Sequence, residues 1–347
     1  DLLLAASITE RRAEIATLYN NKKIEITGIN TNSEEWGINY PREYDTWKKT
    51  KEMDFRSKHL GNMPEDVLES RPEMVVLWAG YAFSRDYSAP RGHMYTIEDV
   101  THTLRTGTPD HEHKDMQPST CWACKSPDVP RMMHEVGIEN FYKASWSQFG
   151  SEIVNPVGCA DCHDPKTMNL TITRPALIEA FERQGKDITK ATPQEMRSLV
   201  CAQCHVEYFF KGDGKYLTFP WDGGMTVESM EEYYDNANYT DWVHHLSKAP
   251  MLKAQHPDYE IFLLGPHAQR GLSCADCHMP YMSEGGIKYS NHQVMSPLKN
   301  VSSTCQTCHR DSEENLKNYV YQYQDKALEI RNRIEVELAK AHVMAKA

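Results

Sequence analysis

No stretch of this chain approaches the roughly 18 consecutive apolar residues that a membrane-spanning helix requires, so nothing in it is expected to cross a bilayer. A basic face is missing too. Lys and Arg number 38 against 49 Asp and Glu, a formal charge of −11, and such a chain does not bind nucleic acid non-specifically. The same field repels any anionic substrate, which needs a local cationic funnel to reach a site. No low-complexity linker divides the chain, so one continuous domain over 1–347 is expected. At the start, Asp1 to Ala6 carries a short apolar run, Leu2-Leu3-Leu4, without the basic n-region and small-residue cleavage site of a signal peptide. It reads as a mature N-terminus or as what trimming left. With 40% hydrophobic and 25% charged residues, the composition is globular rather than disordered.

Nor is any cysteine left over. The ten cysteines fall as Cys121/Cys124, Cys159/Cys162, Cys201/Cys204, Cys274/Cys277 and Cys305/Cys308, every pair spaced C-x-x-C. Four pairs are followed directly by histidine: His163, His205, His278 and His309. C-x-x-C-H is the attachment pattern of haem c, in which two thiols bond the porphyrin and the adjacent imidazole becomes an axial ligand. The other readings fit poorly. Disulfides between cysteines three apart are strained and would not recur five times. Zinc takes two pairs per four-ligand site, and five is odd. A thioredoxin-like pair is single and sits in a βαβ context, absent here. Haem c is attached outside an energy-transducing membrane, which places the chain in the periplasm. The 16 methionines are possible axial ligands but more often fill core gaps.

The first pair departs from the rest: Cys121-Trp122-Ala123-Cys124-Lys125 has lysine where histidine is expected. One reading is a degenerate site with an exposed lysine. The other is an amine ligand to iron, neutral through burial and the nearby metal charge. A haem with two protein ligands can only pass electrons. A haem with one keeps a position open for substrate, so four regular haems and one irregular one suggest a wire feeding a catalytic iron.

Helices dominate the coarse reading. Thr96-x-x-Asp99 resembles a capping box, with Ile97, Val100 and Leu104 on one face and Gly107 as a stop. Thr192-Pro193-Gln194-Glu195 is a stronger start, leading through Met196, Leu199 and Val200 into the third motif. Ala176 to Gly185 reads as a helix with a glycine C-cap, and Lys215 to Phe219 as a short strand. From Asp311 to Ala347 there is no Gly or Pro. Leu316, Val320, Tyr323, Ala327, Ile330, Ile334, Leu338 and Ala341 follow a 3/4 spacing, the mark of a long amphipathic helix whose apolar face packs on the haem domain or a partner. The fold class expected is mainly α, a multihaem c-type cytochrome with long C-terminal helices and few short strands.

In these residues the chain resembles the pentahaem cytochrome c nitrite reductases, which form ammonium. The likeness rests on one C-x-x-C-K followed by four C-x-x-C-H, Arg105 in Thr103-Leu104-Arg105-Thr106-Gly107, Glu207-Tyr208 after the third motif, and Lys253-Ala254-Gln255-His256. It covers the chain from about Ala89 onward. The resemblance implies five covalent haems and a calcium ion. Lys125 would be the proximal ligand of the active haem, with Arg105, Tyr208 and His256 lining its open side. Glu207, Tyr208, Lys253 and Gln255 would hold calcium, Tyr208 and Lys253 through backbone carbonyls. His93 would be distal ligand to the third haem, His267 to the fifth and His292 to the second. The family's electron donor is a membrane quinol-oxidising cytochrome or a soluble multihaem cytochrome, and the family forms homodimers through long C-terminal helices. In it the distal histidine of the fourth haem comes from beyond the long helix, past Ala347. Either the C-terminal end of the pattern is missing from this sequence, or one of His342, His102, His111, His113, His244 and His245 replaces it.

The chemistry agrees with these roles. Nitrite is an anion, and Arg105 and His256 would offer positive donors in an acidic protein. Its nitrogen falls from +3 to −3, which takes six electrons with protons, and His256 could deliver protons near neutral pH. Tyr208 adds a phenolic donor, and calcium suits the oxygen set of Glu207, Gln255 and two carbonyls. Two alternatives remain: a reductase of hydroxylamine or sulfite, and a pure electron-transfer cytochrome whose five haems are all closed.

Overall fold

The computed structural model describes residues 22–346 apart from 27–29, 60–62 and 108–116. The N-terminal run and the candidates His111 and His113 lie outside the described residues. The fold is mainly α, as expected. Among the described residues the strands form three two-stranded antiparallel hairpins. Tyr281–Glu284 pairs with Ile287–Ser290 across Gly285 and Gly286, whose φ values of 57° and 81° are those a tight hairpin turn demands and only glycine adopts freely. The strand expected at 215–219 is Tyr216–Thr218, paired with Phe209–Lys211.

The helices begin and end where local chemistry says they should. Thr192 caps Pro193–Ala202 by accepting from Glu195 N at 3.2 Å while Glu195 returns to Thr192 N at 2.7 Å, a complete capping box. Pro175–Arg183 starts on proline and buries Ala176, Leu177, Ala180 and Phe181. Gly185, at φ 71°, turns the chain away in the left-handed conformation.

Thr96 does not cap an α-helix. The segment makes two short 3₁₀ turns, His93–Tyr95 and Glu98–Val100, and Leu104 is 70% exposed. The reason is competition. Asp99 accepts from Arg91 N at 3.0 Å and Nε at 2.7 Å, and Thr96 Oγ1 donates to Lys125 O at 2.8 Å. Both side chains are therefore committed to distant partners, and Arg105 sits on a turn closed by Thr103 and Gly107.

The long C-terminal helix is present as Glu313–Met344, 32 residues, or about 48 Å at the usual rise. Its orientation differs from expectation. Only Leu316 of the apolar stripe is buried, whereas Tyr323, Ile330, Ile334 and Leu338 are exposed. The inward face carries Glu335, Ala339 and His342. Polar bonds dock it: Arg71 to Glu335 at 3.3 Å, Lys58 and His59 to Asp325 at 2.7 and 2.6 Å, and Ser247 Oγ to His342 Nδ1 at 2.7 Å. The stripe thus does not pack on the haem-motif region of its own chain.

The main apolar core surrounds the first cysteine motif. Trp122, wholly buried, stacks on Trp146 at 4.6 Å and donates from Nε1 to Trp146 O. Of the ten cysteines, Cys121 and Cys124 pack against this core. Replacing Thr192 with Ala should lower unfolding free energy by about 1 kcal/mol through the lost cap. Denaturant unfolding checks it, and an unchanged midpoint would show that packing alone holds the helix that leads into the third motif.

Candidate functional site

The lone pair that a histidine offers a metal is set by what its other ring nitrogen does. A backbone carbonyl can only accept, so a ring nitrogen bonded to one must carry the proton, and Nε2 is left as ligand. His163 Nδ1 donates to Met168 O at 2.8 Å, His278 Nδ1 to Met295 O at 2.9 Å and His292 Nδ1 to Ser290 O at 2.9 Å. His205 Nδ1 bonds Asp258 Oδ2 at 3.1 Å. None of these imidazoles is fully covered by the chain itself. Burial holds His163 down at about 4, with His292 adding to it, and it lowers His278 and His292 as well. These rings are neutral at neutral pH, the form that binds metal. His205 differs: burial disfavours its charge most, but the Asp258 bond together with the charges of Cys204 and Asp258 leaves it raised.

Distances between motifs also fit haem iron. The His163 and His292 ring centres are 6.2 Å apart, and those of His267 and His309 6.1 Å. One metal with an imidazole on either side at about 2 Å puts ring centres roughly 6 Å apart. His93 lies close enough to His205 for the two to oppose each other's charge, and burial with this neighbour and Lys125 takes His93 down to about 4. Among the described residues His278 has no histidine ring facing it at about 6 Å, although His205 opposes its charge too. His244 and His342 stack on each other at 3.7 Å, His245 lies against Gly80, and His102 is exposed on a turn.

Thiol contacts order the motifs in space. Cys124 is in hydrogen-bond contact with Cys204, and Cys201 with Cys274. Cys277 lies near Cys305 and Cys308, and Cys162 near Cys204. The path runs first, third, fourth, fifth motif, with the second beside the third.

Around the first motif the structure assembles all four candidates expected to act there. Lys125 interacts with Cys121, Cys124, His93, His205 and His256. Arg105 reaches Cys121. Tyr208 interacts with both cysteines of the motif, and its ring lies 5.6 Å from that of His256. Burial, His205 and Lys125 push His256 down to about 4, so in these surroundings it is neutral near pH 7 and offers a ring N–H rather than the positive charge expected from sequence. The second cation is Lys253. Its ammonium lies 5.1 Å from the Phe83 ring centre, and the Arg105 guanidinium lies 4.5 Å from the same ring.

The expected calcium residues also converge. Glu207 is buried; its Oε2 accepts from Gln255 N at 2.6 Å and its Oε1 from Tyr234 OH at 2.8 Å. Burial still raises it to about 7, the behaviour of a carboxylate in need of a cation. Gln255 Oε1 accepts from Lys253 Nζ at 2.8 Å, and Gln255 Nε2 meets Lys253 O at 3.3 Å. A carboxylate from one segment and an amide oxygen and a carbonyl from another, gathered at one place, are hard-cation donors, and the set fits calcium.

Several functional residues had no sequence signal. Asp258 orients His205, Phe83 gathers two cations, and buried Glu260 holds Glu207 N at 2.9 Å and Trp221 Nε1 at 2.8 Å. Only the position of Asp258, two residues after His256, offered a hint. The acceptors of the other three imidazoles are main-chain carbonyls, which residue identity does not reveal.

Comparison with known proteins agrees. The model of the cytochrome c552 family matches residues 32–347. Proteins named cytochrome c-552 from Parabacteroides distasonis and Bacteroides fragilis are each 67% identical over 344 residues, 99% of this chain and 70% of theirs. Among solved structures, the catalytic subunit of cytochrome c nitrite reductase from Desulfovibrio desulfuricans ATCC 27774, described with two calcium sites, superposes with a TM-score of 0.86. It is 33% identical, over 93% of this chain and 73% of that one.

Replacing Asp258 with Ala should raise the midpoint potential of one haem. The axial imidazole becomes less basic and a local negative charge is lost, so the ferric state is less favoured. A redox titration with all five potentials unmoved would show that the 3.1 Å contact does not tune His205.

Proposed function

Because the chain belongs to the cytochrome c552 family, we propose that it is a nitrite reductase that carries nitrite to ammonia with six electrons at the Lys125 haem. The observation that carries this reading is the convergence of Lys125, Arg105, Tyr208 and His256 on the first motif, whose two cysteines pack against the main apolar core. Four haems are held by Cys159, Cys162 and His163; Cys201, Cys204 and His205; Cys274, Cys277 and His278; and Cys305, Cys308 and His309. His292, His93 and His267 supply distal ligands to the second, third and fifth. The haems supply the electrons and an open iron position at the first motif. Nitrite, eight protons and six electrons give ammonium and two waters.

The residues of the chain do the rest. Arg105 and Lys253 concentrate positive charge at the pocket, which draws an anion into a protein of net charge −11. Arg105 hydrogen-bonds the bound anion. Neutral His256 and the Tyr208 phenol donate hydrogen bonds to nitrogen and oxygen as charge changes there, and hand on protons drawn from solvent. Burial raises the Tyr208 phenol well above its ordinary value, so it stays protonated and remains a donor. Glu207, Tyr208, Lys253 and Gln255 would hold a calcium ion, which would fix the Tyr208 and His256 segments in register and lend positive charge beside the pocket.

Among the described residues no helix is long and apolar enough to cross a membrane, which accords with a periplasmic enzyme fed by a membrane quinol-oxidising cytochrome or a soluble multihaem cytochrome. The outward face of Glu313–Met344, with Ile330, Ile334 and Leu338 exposed, supports a homodimer. One continuous domain carries all five haems.

The decisive measurement supplies full-length holoprotein with a low-potential reductant and nitrite without oxygen, and quantifies ammonium. Stoichiometric ammonium without released intermediates is expected; none, with five haems confirmed, would reverse the reading in favour of an electron carrier or another substrate. Lys125→His should keep five haems and lower turnover, and unchanged turnover would remove the special role of the lysine. Arg105→Gln should raise KM for nitrite by about tenfold, the loss of one charge-assisted contact. An unchanged KM would place Arg105 outside the pocket.

A further inference from the structure

The second variable position of a C-x-x-C motif has no part in haem attachment, yet in three of the five motifs it meets the same residue. That position is Ala123 in the first motif, Asp161 in the second and Gln203 in the third. Arg174, 2% exposed, lies among them. Its Nε donates to Ala123 O at 2.6 Å, and its Nη2 to Ser126 O at 2.7 Å and Asp161 Oδ1 at 2.5 Å. Nη1 donates to Thr173 Oγ1 at 2.6 Å, and the backbone N–H of Arg174 donates to Gln203 Oε1 at 3.0 Å. Gln203 Nε2 completes the knot on Asp161 O at 3.1 Å.

A buried ion pair is a poor device for stability, since an apolar replacement of equal volume often does as well. What it does supply is direction. Ala123 and Ser126 bracket Cys124 and Lys125, and Thr96 Oγ1 ties the Lys125 carbonyl from elsewhere in the fold at 2.8 Å. Carbonyls of the turn that presents Lys125 are thus pinned from outside the motif. The fourth motif gives the contrast. It repeats Cys-Ala-Asp-Cys and pairs Asp276 with Arg197 at 2.8 Å, but Arg197 is only half-buried and bonds Ser273, Tyr281 and Asp276, none of them in another motif. A histidine ligand is short and stiff and is oriented through Nδ1. A lysine is a flexible stem with no second nitrogen to tether, so its direction must come from the backbone.

We propose that Arg174 is a positioning residue for the Lys125 haem: it clamps the Ala123–Ser126 turn so that the lysine amine stays on the iron, and it locks the first motif to the second and third. This rests on the reading of Lys125 as an iron ligand given above. A lysine at 174 keeps the charge but cannot fork across two carbonyls, so the clamp and a mere charge effect separate.

The test prepares holoenzyme of Arg174→Lys and Arg174→Gln, with haem content by mass, electron paramagnetic resonance of the oxidised protein, and kcat and KM for nitrite. Both variants should carry five haems and native low-spin signals. The high-spin signal should be split or lost, and kcat should fall about 10- to 100-fold, as when groups that orient a metal ligand are removed, with KM little changed. A native high-spin signal and kcat in both, full restoration by Arg174→Lys, or equal loss across all five haem signals would each overturn the proposal. Should neither variant mature, Thr173→Ala removes the Nη1 anchor, and with it the Thr173 hydroxyl's bonds to Asp161 O and Gln203 Oε1, while leaving the Arg174 bonds to Ala123 O and Ser126 O in place; it should alter the high-spin signal alone, and an unchanged signal overturns the clamp. A parent enzyme with no high-spin haem would sink the Lys125 reading itself and this inference with it. A parent with one, matched by its variants, sinks only the role of Arg174.

Discussion

Everything in this fold depends on aiming neutral nitrogen donors. A metal-binding imidazole must be uncharged and must point its lone pair at the iron, and one hydrogen bond from Nδ1 does both. The carbonyls of Met168, Met295 and Ser290 perform that service for His163, His278 and His292. A carbonyl acceptor serves only if its own peptide is held still, which explains the many short helices, tight turns and two-stranded hairpins in place of layered sheets. Met168 itself has a positive φ of 62°, uncommon for a residue with a side chain, and its carbonyl is the one that accepts from His163. Local strain there is compensated by the orientation it gives the ring.

Charge follows the same economy. The acidic surface is set against a small group of cations at the first motif. Arg105 and Lys253 share the Phe83 ring, which attracts both without neutralising either. Glu207 and Asp241 lie behind Lys253 and favour its charge, while burial and Arg105 oppose it, leaving Lys253 at about 8. These carboxylates therefore hold the positive pocket together from the rear, and their own desolvation is only partly offset, at Glu207 by Tyr234 and Gln255 N and at Asp241 by Lys253 N. The result is a local field opposite in sign to that of the whole molecule.

How far the sequence could be read follows from the range of each interaction. The Thr192 cap and the helix begun by Pro175 were legible because their determinants lie within a few residues. The haem motifs were legible because covalent attachment imposes a rigid spacing. Thr96 and Asp99 misled because Arg91 and Lys125 O compete for them, and pattern does not reveal who wins. Arg174 stayed hidden although Cys-Ala-Asp-Cys twice set an acid beside the thiols. Its carbonyl acceptors lie 51 and 48 residues away and have no residue identity. The stripe of the C-terminal helix was read correctly as apolar, but period alone cannot say which face meets the chain's own body.

That helix shows how shape and site are joined. Its inward contacts are directional and individually weak: exposed ion pairs such as Lys58–Asp325 are screened by water and contribute little. Its outward side chains hold more burial energy in reserve, about 25 cal/mol per Å² of apolar surface covered. The helix is therefore registered by polar bonds on one side, with its larger reserve of stability on the other. The registering bond at His342 falls on Ser247, whose hydroxyl also lies 3.1 Å from His244 Nδ1. His244 Nε2 in turn meets Val76 O at 2.8 Å. Ser247 sits in the turn of the hairpin Trp242–Val243/Pro250–Met251, and that hairpin runs directly into Lys253, Gln255 and His256. The stacked His244–His342 pair thus ties the helix to the hairpin that leads into the loop carrying the expected calcium donors and the pocket imidazole.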